Sequence, residues 1–326
     1  MAICYLGIDL GGTNVKAGLV EETGVVRSKI SIPTEAERGP DHVIDRMILA
    51  GKMAIDEARQ SPDAVRAIGI GAPGALNHKQ GVIVSPPNLP GWRNVPVRDR
   101  LSGHFGLPAT LENDANAAAW GEFWVGAGRT AESLVMFTLG TGVGGGIVSD
   151  GKFIRGFFDN GAEIGHMIIE PSGRLCNCGQ RGCLEAYASA SHTARIATDA
   201  ILAGRESSMK QILDRGEAIT TERIVEHMGR GDALATETWQ QTCRYIAIGC
   251  INLTHIINPE MIILSGGMVY AGDTLLVPVR QHFEALRSPA FESSYPQIVL
   301  AELGNDAGFI GAAGAAKLAE SLGELA

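Results

Sequence analysis

One histidine and three cysteines, at His166, Cys176, Cys178 and Cys183, restrict the folding of this chain more than any other feature of it. Three thiolates and an imidazole are the ligand set of a closed tetrahedral zinc site, and the short spacings match a single knotted loop. Zn2+ in a structural role is the expected occupant, against a competing reading of unpaired or redox-active thiols. Such a knot would pull its flanking carboxylates, Glu163 and Glu185, toward each other and make them candidates for gripping a polyol. His166 can serve two partners, one ring nitrogen on the metal and the other donating to a ligand hydroxyl.

Cys4, Cys243 and Cys250 lie in apolar surroundings and read as buried thiols. A disulfide framework would be out of place in a chain with this much core, so a reducing cytoplasm is expected. The 326 residues, 45% of them hydrophobic, suffice for two sizeable cores and suggest two domains. No basic N-terminal segment leads into a long apolar run, which speaks against secretion and membrane spanning. A formal net charge of -9 argues against a broad nucleic-acid surface while permitting a local cationic pocket for nucleotide phosphates.

Residues 3 to 8 read as a strand that delivers Asp9 into the turn Gly11-Gly12-Thr13, and residues 15 to 20 as the return limb of a hairpin. From Asp9 to Lys16 the chain carries a carboxylate, two permissive glycines, the Thr13 hydroxyl, Asn14 and a cation. Successive amide groups in such a turn can cradle phosphate, with Asp9 holding magnesium directly or through water. The spacing is neither that of a Walker A loop nor the dinucleotide GxGxxG order, and the motif alone is also compatible with a plain hairpin turn. A related arrangement recurs, with a strand over residues 134 to 139, a turn at Gly140-Thr141-Gly142, and an outward limb from Gly144 to Val148. The recurrence suggests an internal duplication. Glycines inside strands weaken a sheet by roughly 0.5 to 1 kcal/mol each, so the run from Gly140 to Gly146 needs a reason. Close approach of a triphosphate is one, and a crowded strand crossing is the other. Ser265-Gly266-Gly267, ending a strand over residues 261 to 264, fits a further nucleotide contact.

Residues 65 to 71 form another buried-strand signal, and the proline-rich stretch from Pro86 to Trp92 reads as an ordered loop. A short strand over 108 to 111 leads to Glu112-Asn113-Asp114, after which residues 115 to 124 are alanine-rich and helical. Asp114 thus falls where a strand ends and a helix begins, a position that aims a carboxylate into a cleft, although an isolated Asn-Asp pair is also an ordinary helix cap. Taken with Asn88, Asn113, Glu163 and Glu185 it becomes a general base for a hydroxyl, and the reaction becomes phosphoryl transfer. Helices are expected over 186 to 204, 220 to 230 and 234 to 257 and from about 273. A last strand is expected over 297 to 301, with a small-residue helix over 307 to 318 suited to packing closely on a sheet. The domain boundary is placed near residue 115.

With these residues the chain resembles the ROK family of repressors, open reading frames and sugar kinases, and among them the bacterial ATP-dependent glucokinases. Asp9-Leu10-Gly11-Gly12-Thr13, the run Gly140 to Gly146, Ser265-Gly266-Gly267, Glu163-Ile164-Gly165-His166, Cys176-Asn177-Cys178-Gly179 and Gly182-Cys183-Leu184-Glu185 carry the resemblance across essentially the whole chain. It implies a duplicated ribonuclease-H-like α/β fold of the actin, Hsp70 and hexokinase superfamily, two lobes with a central cleft. The small lobe would hold residues 1–115 and take back the terminal helix at about 305–326. The large lobe would hold 116–304, with the zinc loop and the dimerisation surface. The family's sugar contacts map onto Asn88, Asn113, Asp114, Glu163, His166 and Glu185, its base onto Asp114, and its zinc ligands onto His166, Cys176, Cys178 and Cys183. Nucleotide contacts are expected at Asp9, Gly11, Gly12, Thr13, Asn14, Lys16, Gly140, Thr141, Gly142, Gly144, Gly266 and Gly267. The implied activity is phosphorylation of the 6-hydroxyl of glucose by ATP with Mg2+ in a cytoplasmic homodimer or homotetramer. N-acetylmannosamine or N-acetylglucosamine is the alternative acceptor and polyphosphate the alternative donor. Many repressors of the family carry a winged DNA-binding domain ahead of the first turn, for which a turn beginning at residue 9 leaves no room, so a sugar-responsive regulator is the weaker alternative.

Overall fold

Apolar alternation on either side of the two-glycine turn folds the N-terminus into a hairpin of β1 (Cys4–Leu10) and β2 (Asn14–Glu21), in which Leu10 faces Val15 and Asp9 faces Lys16. The computed structural model describes residues 2–60, 64–86, 89–291 and 295–325. β3 (Ile30–Pro33) pairs antiparallel with β2, while β4 (Val65–Ala72) and then β7 (Ala109–Asn113) run parallel beside β1. The sheet order is β3-β2-β1-β4-β7, and β5 (Ala75–Asn77) and β6 (Val82–Ser85) form a separate ribbon. Helices α1 (Pro40–Glu57) and α2 (Val97–Phe105) bury Val43, Met47 and Leu101 with Leu6, Ile8 and Leu10 in one core.

The opposite face takes α3 (Asp114–Val125) and the C-terminal α10 (Ala307–Leu322). Here the small-residue sequence of α10 has its reason. A Cβ on Gly69 would lie 1.7 Å from the Ala312 carbonyl oxygen and one on Gly7 would lie 1.9 Å from that of Phe309, so helix backbone rests directly on sheet backbone. α3 joins the same stack, since a Cβ on Gly121 would come within 2.7 Å of the Ala307 carbonyl oxygen.

β8 (Leu134–Leu139), β9 (Val143–Ser149), β10 (Lys152–Phe153), β11 (Met261–Ser265) and β12 (Gln297–Leu300) repeat the pattern in the order β10-β9-β8-β11-β12. As in the first sheet, the first strand returns on itself through a glycine turn and then takes two parallel neighbours on its other side. The repeated order bears out the duplication expected from the two turns. Between β10 and β11 lie α4 (Glu185–Ala188), α5 (Ala190–Leu202), α6 (Lys210–Asp214), α7 (Thr221–Gly229) and α8 (Ala233–Ile257), and α9 (Asp273–Leu286) precedes β12.

Contacts divide the chain into one unit of Met1–Thr130, Gly146–Ala162 and Glu302–Ala326 and a second of Ala131–Gly145 and Glu163–Ala301. The division falls at Thr130 rather than at 115 because α3 packs on α10. The single helix expected over 186 to 204 is two: Ser189 turns extended (φ -77°, ψ 156°) and its hydroxyl caps α5 by accepting the His192 N–H. No described helix is long and apolar enough to cross a membrane.

Candidate functional site

In the first unit, the turn after β1 is tied down on its carbonyl side. The Thr34 hydroxyl donates to the Gly11 carbonyl at 2.7 Å, the Thr34 N–H donates to the Thr13 carbonyl at 2.8 Å, and the Gly11 N–H is spent on Asn14 at 3.0 Å. Gly12, Thr13 and Asn14 are left exposed, which fits a cradle for phosphate. Lys16, expected to belong to the same cradle, donates instead to the Asn305 carbonyl at 2.8 Å and stands across the hairpin from Asp9.

Asp9, the last residue but one of β1, lies beside Gly71 of β4, and Gly71 and Ala72 in turn pair with Glu112 and Asn113 of β7. A Cβ on Gly71 would lie 3.7 Å from Asp9 Oδ1 and 3.9 Å from Asp114 Cα. A bare glycine of β4 thus separates the two acids, which stand at the carboxyl ends of its parallel neighbours β1 and β7, where open α/β sheets hold ligands. Gly308 forms the floor beneath Asp9, a Cβ there meeting Oδ2 at 2.5 Å. Burial pushes the Asp9 carboxyl up to about 6, against the pull of Lys16. Because the folded value lies above the unfolded one, this group costs stability as pH rises through about 6, and the cost vanishes below about 4. Asp9→Asn is therefore expected to raise the unfolding free energy of the metal-free protein at pH 8 by about 1 to 3 kcal/mol, with little change near pH 4. Calorimetry in a chelating buffer checks this, and a less stable variant at pH 8 would contradict it.

Asn113 caps α3, its Oδ1 accepting from Ala115 N at 3.0 Å and Asn116 N at 3.2 Å, and Asp114 Oδ1 also accepts from Ala115 N at 2.8 Å. The capping reading of the Asn-Asp pair holds for Asn113, and the cap fixes the neighbouring Asp114 at the strand edge. Glu112 is 2% exposed and accepts from Arg155 Nε at 2.7 Å, Asn116 Nδ2 at 3.1 Å and the Asn113 N–H at 3.0 Å. This ion pair, buried on its Glu112 side, locks the strand end that presents Asp114. Sequence reasoning missed Arg155, Thr34 and Gly308, and only the acid-rich run around Glu112 gave any signal of it.

In the second unit, the four expected metal ligands come together. Their ligand atoms all lie within 4.8 Å of one another, with Cys178 and Cys183 Sγ 3.7 Å apart and Cys176 Sγ 3.8 Å from His166 Nδ1. Zn–S bonds of about 2.3 Å put the sulfurs of a tetrahedron about 3.8 Å apart, so the donor set fits zinc in size as well as in kind. The loop is knitted by backbone bonds, Cys176 N to the Gln180 carbonyl at 2.8 Å and Leu184 N to the Met167 carbonyl at 2.9 Å. Gln180 Nε2 adds a bond to Cys183 Sγ at 3.3 Å and one to the His166 carbonyl at 3.1 Å.

Of the flanking acids, Glu163 is exposed at the start of a single 3-10 turn, Ile164–His166. Glu185 opens α4 and is engaged twice, Oε2 accepting from the Val143 N–H at 3.0 Å and Oε1 lying 3.3 Å from Cys176 Sγ. Gly165 is needed where it stands, because a Cβ there would be 1.9 Å from the Val143 carbonyl oxygen. The glycine run has mixed causes. Gly145 makes room for Ile164, a Cβ falling 2.2 Å from its Cδ1, and Gly146 makes room for Ala119 at 2.5 Å, which is close packing and not phosphate. Gly140 is open on its outer side, with nothing within 4 Å, and so is Gly267. Gly266 has φ +90° and lies against the backbone of Leu139, which sets the two glycine turns at the ends of the adjacent parallel strands β8 and β11. Asn88 lies outside the described residues.

The profile of the ROK family matches residues 5–319. The glucokinase of Halalkalibacterium halodurans is 38% identical over 308 residues, covering 94% of this chain and 93% of its own. The ROK hexokinase from Thermus thermophilus has a TM-score of 0.83 at 34% identity, covering 98% of this chain and 99% of that one. A ROK family glucokinase from Streptomyces griseus, solved in complex with glucose and AMPPNP, has a TM-score of 0.79 at 34% identity, with 97% and 99% covered.

Proposed function

The chain belongs to the ROK family, with the actin/Hsp70/hexokinase-like fold, and from that premise we propose that it transfers the γ-phosphoryl group of ATP to the 6-hydroxyl of D-glucose. ATP-dependent phosphorylation of a hexose is its activity. The observation that carries it is the pair of acids, Asp9 and Asp114, on either side of bare Gly71 at one strand edge.

Asp114 accepts the proton of the 6-hydroxyl as that oxygen attacks the γ-phosphorus and the bond to the bridging oxygen of ADP breaks. The Ala115 N–H on Oδ1 holds the carboxylate in place for this. Magnesium, when bound with ATP, neutralises charge on the transferring phosphoryl group, and Asp9 is placed to hold it directly or through water. The amides of Gly12, Thr13 and Asn14 in the first glycine turn, those of Thr141, Gly142 and Gly144 in the second, where the Gly140 and Val143 N–H groups are already spent, and those of Gly266 and Gly267 are the phosphate donors. Lys16 contributes long-range charge. Asn88, Asn113, Glu163, His166 and Glu185 bind the sugar, with His166 Nδ1 toward zinc and Nε2 toward a hydroxyl. Asn113 offers Nδ2, because its Oδ1 is spent on the helix cap. Zinc is structural here, fixing the loop that carries Glu163 and Glu185. The working form is a cytoplasmic homodimer, or a tetramer built from it.

Steady-state ADP release with ATP and magnesium across a panel of hexoses tests the assignment. Glucose is expected to give the highest kcat/KM. Equal or better turnover of N-acetylglucosamine or N-acetylmannosamine would replace glucose as the acceptor, and turnover of none would favour a non-catalytic sugar-responsive regulator.

A further inference from the structure

Resting on the reading of this chain as an ATP-dependent kinase, we propose that Ser191 is a positioning residue for ATP, through which the start of α5 grips the carbonyl side of the Gly140–Gly142 turn and turns its amides toward the phosphates. Three consecutive carbonyls of that turn are held from within the protein. The Gly140 carbonyl accepts from Ala190 N at 2.8 Å, the Thr141 carbonyl accepts from Ser191 Oγ at 2.5 Å, and the Gly142 carbonyl accepts from Gly140 N at 3.0 Å. The Val143 N–H goes to Glu185. Thr141 and Gly142 therefore supply the turn's remaining amide donors, and the open space beyond Gly140 is where an anion would meet them.

The break at Ser189 exists to make this grip. A continuous helix over 186 to 204 would spend the N–H of residue 190 inside itself, whereas the extended Ser189 frees it for Gly140. Behind Ser191 the hydroxyl of Ser189 stands 3.3 Å from its Oγ and 3.0 Å from His192 Nδ1. Ser189 and His192 are fully buried, so this chain of side chains has one packed end and one working end at the exposed Thr141. Burial pushes the His192 imidazole down, keeping it neutral beside Ser189. The 13 residues of α5 also direct their N-terminal dipole at the turn, a field that favours phosphate. Ser191 touches neither substrate in this scheme and acts through the Thr141 peptide.

The test compares Ser191→Ala and Ser191→Thr with the wild type, measuring KM for ATP and for glucose, and Kd for a nonhydrolysable ATP analogue by calorimetry. Losing one hydrogen bond that orients the turn is expected to raise the KM for ATP and the analogue Kd by about fivefold to tenfold, with glucose KM unchanged. Ser191→Thr, which keeps the hydroxyl, should restore both. Wild-type values for ATP and analogue in the Ala variant, an equal rise in both KM values, or failure of Thr to rescue would each overturn the proposal. A wild type that releases no ADP with any hexose would instead overturn the kinase reading, and the calorimetric arm would still decide the role of Ser191.

Discussion

Asp114→Asn is expected to lower kcat for glucose phosphorylation by about a thousandfold while leaving the dissociation constant of glucose within a few-fold. The substitution keeps the shape and the Oδ1 acceptor, so the bond from Ala115 N at 2.8 Å and the Asn113 cap of α3 both survive. Only the capacity to accept a proton is lost. Phosphoryl transfer otherwise depends on alignment and charge stabilisation, which this variant retains, and a residual rate is therefore expected. Rapid-quench kinetics alongside calorimetric glucose binding make the check. A kcat within tenfold of the wild type, at unchanged thermal stability, would remove Asp114 from the role of base.

Cys178→Ser is expected to raise KM for glucose by about 10- to 100-fold, to lower zinc content measured by elemental analysis, and to reduce Tm. Cys178 is not itself a proposed sugar contact; its Sγ stands 3.7 Å from that of Cys183, and its link to the sugar is the metal set it shares with His166. The effect must travel through the loop, by loosening the turn that carries Glu163 and His166 and the strand pairing of Ile168 with Cys183 that follows it. Chelation of the wild type should mimic the substitution and zinc should reverse it, whereas the variant should not respond. Burial raises the Cys176 thiol and so opposes the proton loss that metal binding needs, which makes zinc uptake weaken as pH falls. A variant with wild-type glucose KM and no bound zinc would separate the metal from the sugar site.

Local features of the sequence were the legible ones. The ligands His166 to Cys183 lie within a single loop, and their spacing suffices to bring them together. Hairpin turns at Gly11–Gly12 and Gly140–Gly142 are bracketed by apolar alternation, and their recurrence exposes the duplicated sheet. By contrast, what Gly145 and Gly146 make room for could not be read, because Ile164 and Ala119 arrive from distant segments. The same holds for the break at Ser189: nothing in an alanine-rich stretch forbids a continuous helix, and the partner that favours the break is the Gly140 carbonyl, 50 residues earlier. The helix over Pro40–Glu57 carries a legible signal, since Val43, Met47, Ala50 and Ala54 recur at helical spacing after a proline that starts the first turn. The position of Asp114 at a strand end is legible in the sequence, but the Glu112–Arg155 pair that fixes that end joins residues 43 apart and leaves no trace in spacing.

Release of ADP from ATP and magnesium by the wild-type protein, followed with and without glucose, addresses the central claim with the fewest assumptions. ADP is expected to appear only when glucose is present, in one-to-one ratio with glucose 6-phosphate identified by phosphorus NMR. ADP formed at the same rate without sugar, or a phosphoryl group found on any position other than the sixth, would contradict a carboxylate at Asp114 drawing the proton from that hydroxyl.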